Sequence, residues 1–411
     1  MKHKHSRAIL PVCASWALVA ATIVLGFTAP VLAHDTLKLE APKPLLAPTP
    51  PMGWNSWNKF ACNVNEQLIR QQADAMAASG MKDAGYQYIN VDDCWQAKSR
   101  DADGNIQADP EHFPSGIKAL ADYVHSKGLK FGLYSDAGSL TCYGRPGSAG
   151  HEFQDALQYA RWGVDYFKYD WCYTGTRNAE AAYTIMAKAL RESGRDIVFS
   201  LCDWGGSKPG RWAHPVGHLW RTTGDIYDAW DGKKEWSHGM TNILDMNAEL
   251  WSESAPNGWN DPDMLEVGNG GMTTTEYESH FSLWAMLAAP LIAGNDLSKM
   301  DAHTLRILTN RDVIAVDQDP LGKQGRRLLK EGDLEVWVRP LAGAEHAVVL
   351  LNRGKTPANM KLAWEQLQLP IEQKADVKDL WSKKVTKGVR GSYGAKVAPH
   401  GVIMLRITPL R

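Results

Sequence analysis

The chain has 411 residues, 44% of them hydrophobic and 22% charged, with a net charge of −1. That balance excludes disorder, collagen and coiled coil, and near-neutrality leaves no basic field for nucleic acid. The length suits one large domain with an appendage, or two medium domains.

The first 33 residues read as an export signal. Lys2, Lys4 and Arg7 form a positive start, Ala14 to Phe27 is apolar, and Val31-Leu32-Ala33 before His34 resembles a cleavage site. An uncleaved anchor is the alternative. No later stretch reaches the ~18 apolar residues of a membrane span. The expected location is therefore secreted or periplasmic, with no membrane contact after signal removal. Cys13 leaves with the signal, and Cys62, Cys94, Cys142, Cys172 and Cys202 remain. An odd number leaves one unpaired, and none has CxxC spacing. No Asn opens an Asn-x-Ser/Thr sequon, which favours bacterial export.

Residues 34–47 form a Pro-rich leader with Pro42 and Pro44, and Pro48, Pro50 and Pro51 follow directly. From 48 to 318 short apolar runs alternate with amphipathic stretches. Strands are expected at Tyr86–Val91, Lys130–Tyr134, Tyr166–Tyr169 and Ile197–Leu201. A helix is expected after Asn65 as N-cap, burying Leu68, Ile69, Ala73, Met76 and Ala77 and stopping at Gly80. Another has the capping box Thr273-x-x-Glu276 and presents Tyr277, Phe281, Trp284 and Ala288 on one face.

Polar or aromatic residues stand where each strand ends: Trp54, Asp92, Tyr134, Asp170, Cys202, Asp225, Asp261 and Asn295. Eight such units predict a (β/α)8 TIM barrel, whose site lies at the C-terminal strand ends. A doubly wound sheet lacks support, because no Gly-rich turn follows the first strand. From 319 to 411 the pattern changes. Leu334–Val338 alternates, Ala347–Leu351 is apolar, and Gly401–Ile407 lies near the C-terminus. This predicts a small antiparallel all-β domain.

Strand ends rich in acids suggest glycoside hydrolysis, which needs two carboxyls flanking one bond. Asp170 closes its strand, with Lys168 two residues earlier on the same face. A neighbouring ammonium would hold Asp170 ionised as a nucleophile; a structural ion pair is the plainer reading. Asp92-Asp93 could accept from adjacent sugar hydroxyls, or could cap a helix. Asp225 is a single loop acid, and loop Asp residues commonly cap turns. Seventeen Trp residues fit sugar stacking and an aromatic-rich core equally well. His214 and His218 fall four apart with no third ligand near, so no metal is expected.

Five motifs in order resemble the melibiase-type α-galactosidase / α-N-acetylgalactosaminidase family. They are Met52-Gly53-Trp54-Asn55-Ser56-Trp57, Asp92-Asp93-Cys94-Trp95, Lys168-Tyr169-Asp170, Trp259-Asn260-Asp261-Pro262-Asp263-Met264-Leu265 and Asp319-Pro320-Leu321-Gly322. The resemblance runs from about Pro48 to the C-terminus. It implies a retaining enzyme on a (β/α)8 barrel with a C-terminal β-sandwich, acting on galactose-terminated saccharides without a cofactor or metal. Asp170 matches the nucleophile and Asp225, after Arg221, the acid/base. The sugar pocket it implies is Trp54, Asp92, Asp93, Tyr134, Lys168, Cys202, Asp203, Trp204, Arg221 and Met264. By the same resemblance, Asp92 and Asp93 are expected to take the 4- and 6-hydroxyls and Lys168 the 3- and 4-hydroxyls, with Arg221 and Asp203 approaching the 2-hydroxyl. Where the animal enzymes carry Cys-Glu-Trp, this chain has Cys202-Asp203-Trp204, followed by Gly205-Gly206.

Two alternative specificities share this scaffold, β-L-arabinopyranosidase and α-N-acetylgalactosaminidase. Asp at both 92 and 93 argues against the first, and an acid at 203 against the second. A non-catalytic sugar-binding protein would need neither Asp170 nor Asp225. Each of Cys62, Cys94, Cys142 and Cys172 follows a barrel strand on the catalytic rim. The expected disulfides are Cys62–Cys94 and Cys142–Cys172, with Cys202 free.

Overall fold

The computed structural model describes residues 44–410. The expected export signal and cleavage site, and the start of the Pro-rich leader, lie outside the described residues. Eight short strands follow: β1 Met52–Asn55, β2 Tyr88–Val91, β3 Lys130–Asp136, β4 Tyr166–Asp170, β5 Val198–Leu201, β6 Leu219–Arg221, β7 Trp259–Asp261 and β8 Leu291–Ala293. They pair in parallel, each with its sequence neighbour from β1 to β7, and β8 pairs with β1. Between β7 and β8 the ring closes through Leu265, beyond the end of β7. Its N–H donates to Ile292 O at 2.8 Å and its carbonyl accepts from Gly294 at 2.9 Å. Parallel strands covered on both faces must be apolar throughout, which is why β1, β2 and β5 are buried at every position.

The helix Glu66–Ala78 is capped by Asn65, whose side chain accepts from Leu68 N–H at 2.8 Å. Ile69, Ala73 and Met76 are buried, while Leu68 and Ala77 are only half-buried. Gln72 is buried with them, because its amide bonds Asp296 at 2.9 Å and Leu297 N–H at 2.7 Å. Between β5 and β6 the helix shrinks to one turn, Pro209–Arg211. That explains the short interval between Cys202 and Asp225. β3 also extends two residues past Tyr134, so its inward face ends on Asp136.

The helix Thr274–Met286 has the expected capping box, but one apolar face is the wrong description: every residue from Glu276 to Met286 is buried except Glu278. Ala288 lies beyond its end with φ +50°. The reason is a second partner. Ser279 donates to His400 O at 2.7 Å, Ser282 accepts from Trp381 Nε1 at 2.9 Å, and Ala285 O accepts from Arg339 at 2.6 Å.

Those partners belong to the C-terminal β-sandwich. Its antiparallel six-stranded sheet runs in the order Arg326–Glu331, Leu334–Pro340, His346–Asn352, Val402–Pro409, Ala375–Asp379 and Val385–Val389. A two-stranded sheet, Ala358–Ala363 with Ser392–Val397, contributes Met360, Leu362 and Val397 to a shared apolar core with Val336, Val348 and Leu405. The alternation expected for Leu334–Val338 does not hold, since Glu335 through Arg339 are all buried. Val336 and Val338 face the sandwich core, while Trp337 joins the barrel core. Arg339 reaches the carbonyls of Ala285 and Asp317 across the seam.

Cys62 is joined to Cys94 and Cys142 to Cys172, leaving Cys202 free and buried. The bonds close intervals of 32 and 30 residues, so each contributes on the order of 3–4 kcal/mol by the loop-closure argument. Peptide mapping without reduction is expected to recover these two linkages. A disulfide containing Cys202 would overturn the assignment.

Candidate active site

One cavity of about 1200 Å³ opens at the C-terminal ends of the strands. Its deep wall is set by strand register. Tyr134 pairs with Lys168 and Asp136 with Asp170 on adjacent strands. Residues two apart share a face, so all four point inward. Tyr134 OH donates to Asp170 Oδ2 at 3.1 Å. Burial pushes the Asp170 carboxyl up to about 6; Lys168 pulls it down, and the charges of Asp225 and Asp92 push it up. Asp136 has no exposed surface and is raised by burial and by Asp170. It accepts from the backbone of Gly138 at 2.6 Å and Cys172 at 2.9 Å.

Lys168 does not pair directly with Asp170. Its Nζ donates to Asp92 Oδ2 at 2.9 Å, an oxygen that also accepts from Asn55 at 2.7 Å. Burial, the largest single influence, would lower this ammonium, but its negative neighbours, Asp92 first and Asp170 among them, together outweigh that and hold it charged. Lys168 therefore acts on Asp170 through space, while its hydrogen bond orients Asp92. Asp93 accepts from Cys94 N–H at 2.6 Å and Tyr143 N–H at 3.1 Å, and burial raises its carboxyl.

Opposite charges also organise the sixth strand end. Arg221 Nη2 lies 3.0 Å from Asp225 Oδ1 and 3.0 Å from Asp263 Oδ2. Asp263 in turn accepts from Ile226 N–H at 2.8 Å. Its φ of +84° is unusual for Asp, and Trp284 Nε1 pins the strained peptide by donating to Asp263 O at 2.8 Å. The Asp225 side chain keeps 31% of its surface exposed, against 4% for Arg221.

Nine residues singled out from the sequence line this cavity: Asp92, Asp93, Tyr134, Lys168, Asp170, Trp204, Arg221, Asp225 and Met264. Three do not. Trp54 is fully buried and donates to Asn295 O at 2.7 Å, tying β1 to the loop after β8. Cys202 is buried, its sulfur 3.7 Å from Arg221 Nη1. Asp203 turns away to cap its own loop, accepting from Gly205 N–H at 3.1 Å and Ser207 N–H at 2.7 Å. That loop needs Gly205, which has φ +78° and whose missing Cβ would lie 2.3 Å from Thr222 O. Its effect is to carry Trp204 into the cavity.

Reasoning from the sequence missed Asp263 and Asp136. Asp263 stands inside a quoted motif, and Asp136 was hidden by ending the strand at Tyr134. The aromatic residues divide. Trp54, Trp95, Trp220, Trp259, Trp284, Trp337 and Trp364 are core, whereas Trp57, Trp171, Trp204 and Trp236 line the cavity. The spaced pair His214 and His218 is occupied otherwise: His218 Nδ1 accepts from Phe199 N–H at 2.8 Å, and His214 Nε2 meets Glu253 O at 3.1 Å. Asp136 and the sulfurs of Cys142 and Cys172 cluster compactly, but the disulfide occupies both sulfurs.

Known proteins with this arrangement are close relatives. A family described as alpha galactosidase A matches residues 49–319, and one described as alpha galactosidase C-terminal beta sandwich domain matches residues 331–407. An alpha-galactosidase A of Cellvibrio japonicus is 51% identical over 89% of this chain and 93% of its own length. The alpha-galactosidase of Coffea arabica is 53% identical over 88% of this chain and 94% of its own. The crystal structure of alpha-galactosidase I from Mortierella vinacea superposes with a TM-score of 0.86 at 39% identity, covering 88% of this chain and 97% of that one. With both of its folded regions matched and half of its residues shared with these enzymes, the chain belongs to the melibiase-type α-galactosidase family.

Proposed function

We propose that Asp170 and Asp225 carry out this family's retaining hydrolysis of terminal α-linked galactose. The observation that carries the reading is the cavity: a buried Asp170 and a half-exposed, Arg221-bound Asp225 line the same space. Asp170 attacks the anomeric carbon while Asp225 gives its proton to the departing glycosidic oxygen. A β-linked galactosyl-enzyme forms. Asp225, now a base, takes a proton from water, which attacks the same carbon and releases α-galactose with Asp170 free again. Exposure of Asp225 lets it exchange protons with solvent between the two steps. Asp92, held by Asn55 and Lys168, and Asp93, held by the Cys94 and Tyr143 amides, both line the cavity and are assigned to the 4- and 6-hydroxyls, with Lys168 on the 3- and 4-hydroxyls. Arg221 and Trp204 wall the 2-position, and Asp203 acts by holding the Trp204 turn. We assign the enzyme to a secreted or periplasmic location. The two disulfides support this, since such bonds persist in oxidising compartments.

An acetamido group at the 2-position would have to displace the buried Arg221 or the Trp204 turn. Aryl α-galactoside is therefore expected to react at least about a hundredfold faster, in kcat/KM, than its 2-acetamido analogue, or ~2.7 kcal/mol of transition-state binding. It should also outrun the β-L-arabinopyranoside, which lacks the 6-CH2OH that Asp93 would bind. Asp203→Ser is expected to narrow the acetamido gap by loosening the turn. Comparable rates on galactoside and acetamido analogue would sink the assignment of Arg221 and Trp204.

A further inference from the structure

The cavity is larger than one sugar ring requires. Pockets of ~300–1,000 Å³ enclose whole drug-sized ligands, and this one reaches about 1200 Å³. Its deep end is polar and filled by the acids, Lys168 and Arg221. Its mouth carries Trp236, which is 68% exposed. An exposed Trp forgoes burial of a large apolar face. Among the described residues, no side-chain hydrogen bond and no ring contact engages it.

The backbone that carries Trp236 is nevertheless anchored. It sits in a tight hairpin, Lys233–Lys234 paired with Ser237–His238. The hairpin is tied to the acid/base segment: His238 N–H donates to Asp225 O at 2.8 Å, and Tyr227 N–H to His238 O at 3.1 Å. Gly224 permits that approach, since a Cβ there would lie 2.5 Å from Trp236 O. Trp236 is thus carried by a backbone bonded to Asp225 itself. The group that protonates the glycosidic oxygen stands on the leaving-group side of the bond. An exposed face anchored beside it must border the leaving group.

We infer that Trp236 is the stacking platform for the sugar ring of the leaving group, so that this one side chain separates substrates with a sugar leaving group from those with a small one. The inference rests on the role proposed for Asp225. The apolar C–H face of a pyranose covers the indole, removing from water the surface that the free enzyme exposes. Substrates whose leaving group is too small to reach the hairpin gain nothing from it.

The test compares the trisaccharide raffinose with α-galactosyl fluoride, whose leaving group is a single atom. For Trp236→Ala, kcat/KM on raffinose is expected to fall about tenfold more than kcat/KM on the fluoride. Trp236→Phe should recover most of the loss, because it keeps an aromatic face. Equal losses on both substrates would overturn the inference and make the hairpin a support for Asp225. An unchanged rate on raffinose would overturn it as well. A wild-type enzyme inactive on both substrates would instead bring down the reading of Asp170 and Asp225.

Discussion

Replacing Asp170 with Ala is expected to abolish turnover of every natural galactoside, a loss on the order of 10⁴–10⁶ as for other catalytic nucleophiles. Nothing else lining the cavity is held where Asp170 is, at the end of β4 with its oxygen fixed by Tyr134. A fluorosugar that traps the galactosyl-enzyme should leave its adduct on Asp170, located by mass spectrometry. An adduct on Asp92, Asp225 or Asp261 would refute the assignment. The same carboxyl sets the acid limb of the pH profile. Burial raises it to about 6, and only its ionised form attacks. As pH falls through 6 the carboxylate gains a proton, so kcat/KM should fall towards tenfold per unit below that point. Asp136 and Asp170 are neighbouring buried acids, so this limb belongs to the pair. An acid limb below pH 4 would contradict the geometry.

Replacing Asp225 with Ala is expected to have a different signature. Substrates with poor leaving groups should lose most, because they depend on protonation; activated aryl galactosides should still form the galactosyl-enzyme. That intermediate should then stall without its base. Azide should restore turnover and give α-galactosyl azide, attacking from the face opposite Asp170. With Asp170→Ala, azide should give the β-azide by direct displacement, with no covalent enzyme species. Identical azide products from the two variants would show that the two roles are misassigned. Arg221 lies 3.0 Å from Asp225. Asp263 shares that guanidinium at the same distance, so Arg221 divides its charge between two acids. Asp263, unnoticed in the sequence, thus shares the cation that holds Asp225.

Much of the fold was legible from local pattern. Parallel barrel strands read as apolar runs because both faces are covered, and an N-cap such as Asn65 or the Thr273–Glu276 box acts within four residues of chain. That Asp170 and Asp225 share one rim was legible for the same reason, since each stands at or just beyond a strand end and the barrel topology sends strand ends to one rim; the role expected of Asp225 came only from the family resemblance. Five ordered motifs then identified the family.

What escaped the sequence depends on contacts far apart along the chain. The helix Thr274–Met286 is buried all round because the sandwich covers the side that the barrel does not. Leu334–Pro340 loses its alternation for the mirror-image reason. Lys168 pairs with Asp92, 76 residues away, and not with the acid two residues on. Residues two apart on a strand point the same way but are separated by the strand's own rise, whereas a side chain from the next strand can meet them head on. Asp203, assigned to the sugar by its place in the chain, is drawn back by two amides of its own loop. Trp54 and Trp236 are the same residue type in the sequence, yet one is sealed behind Asn295 and the other left open to solvent. Local sequence determines how a segment folds, through hydrogen bonds and periodicity that act over a few residues. Which side chain meets a substrate depends on the packing of segments that the chain itself keeps far apart.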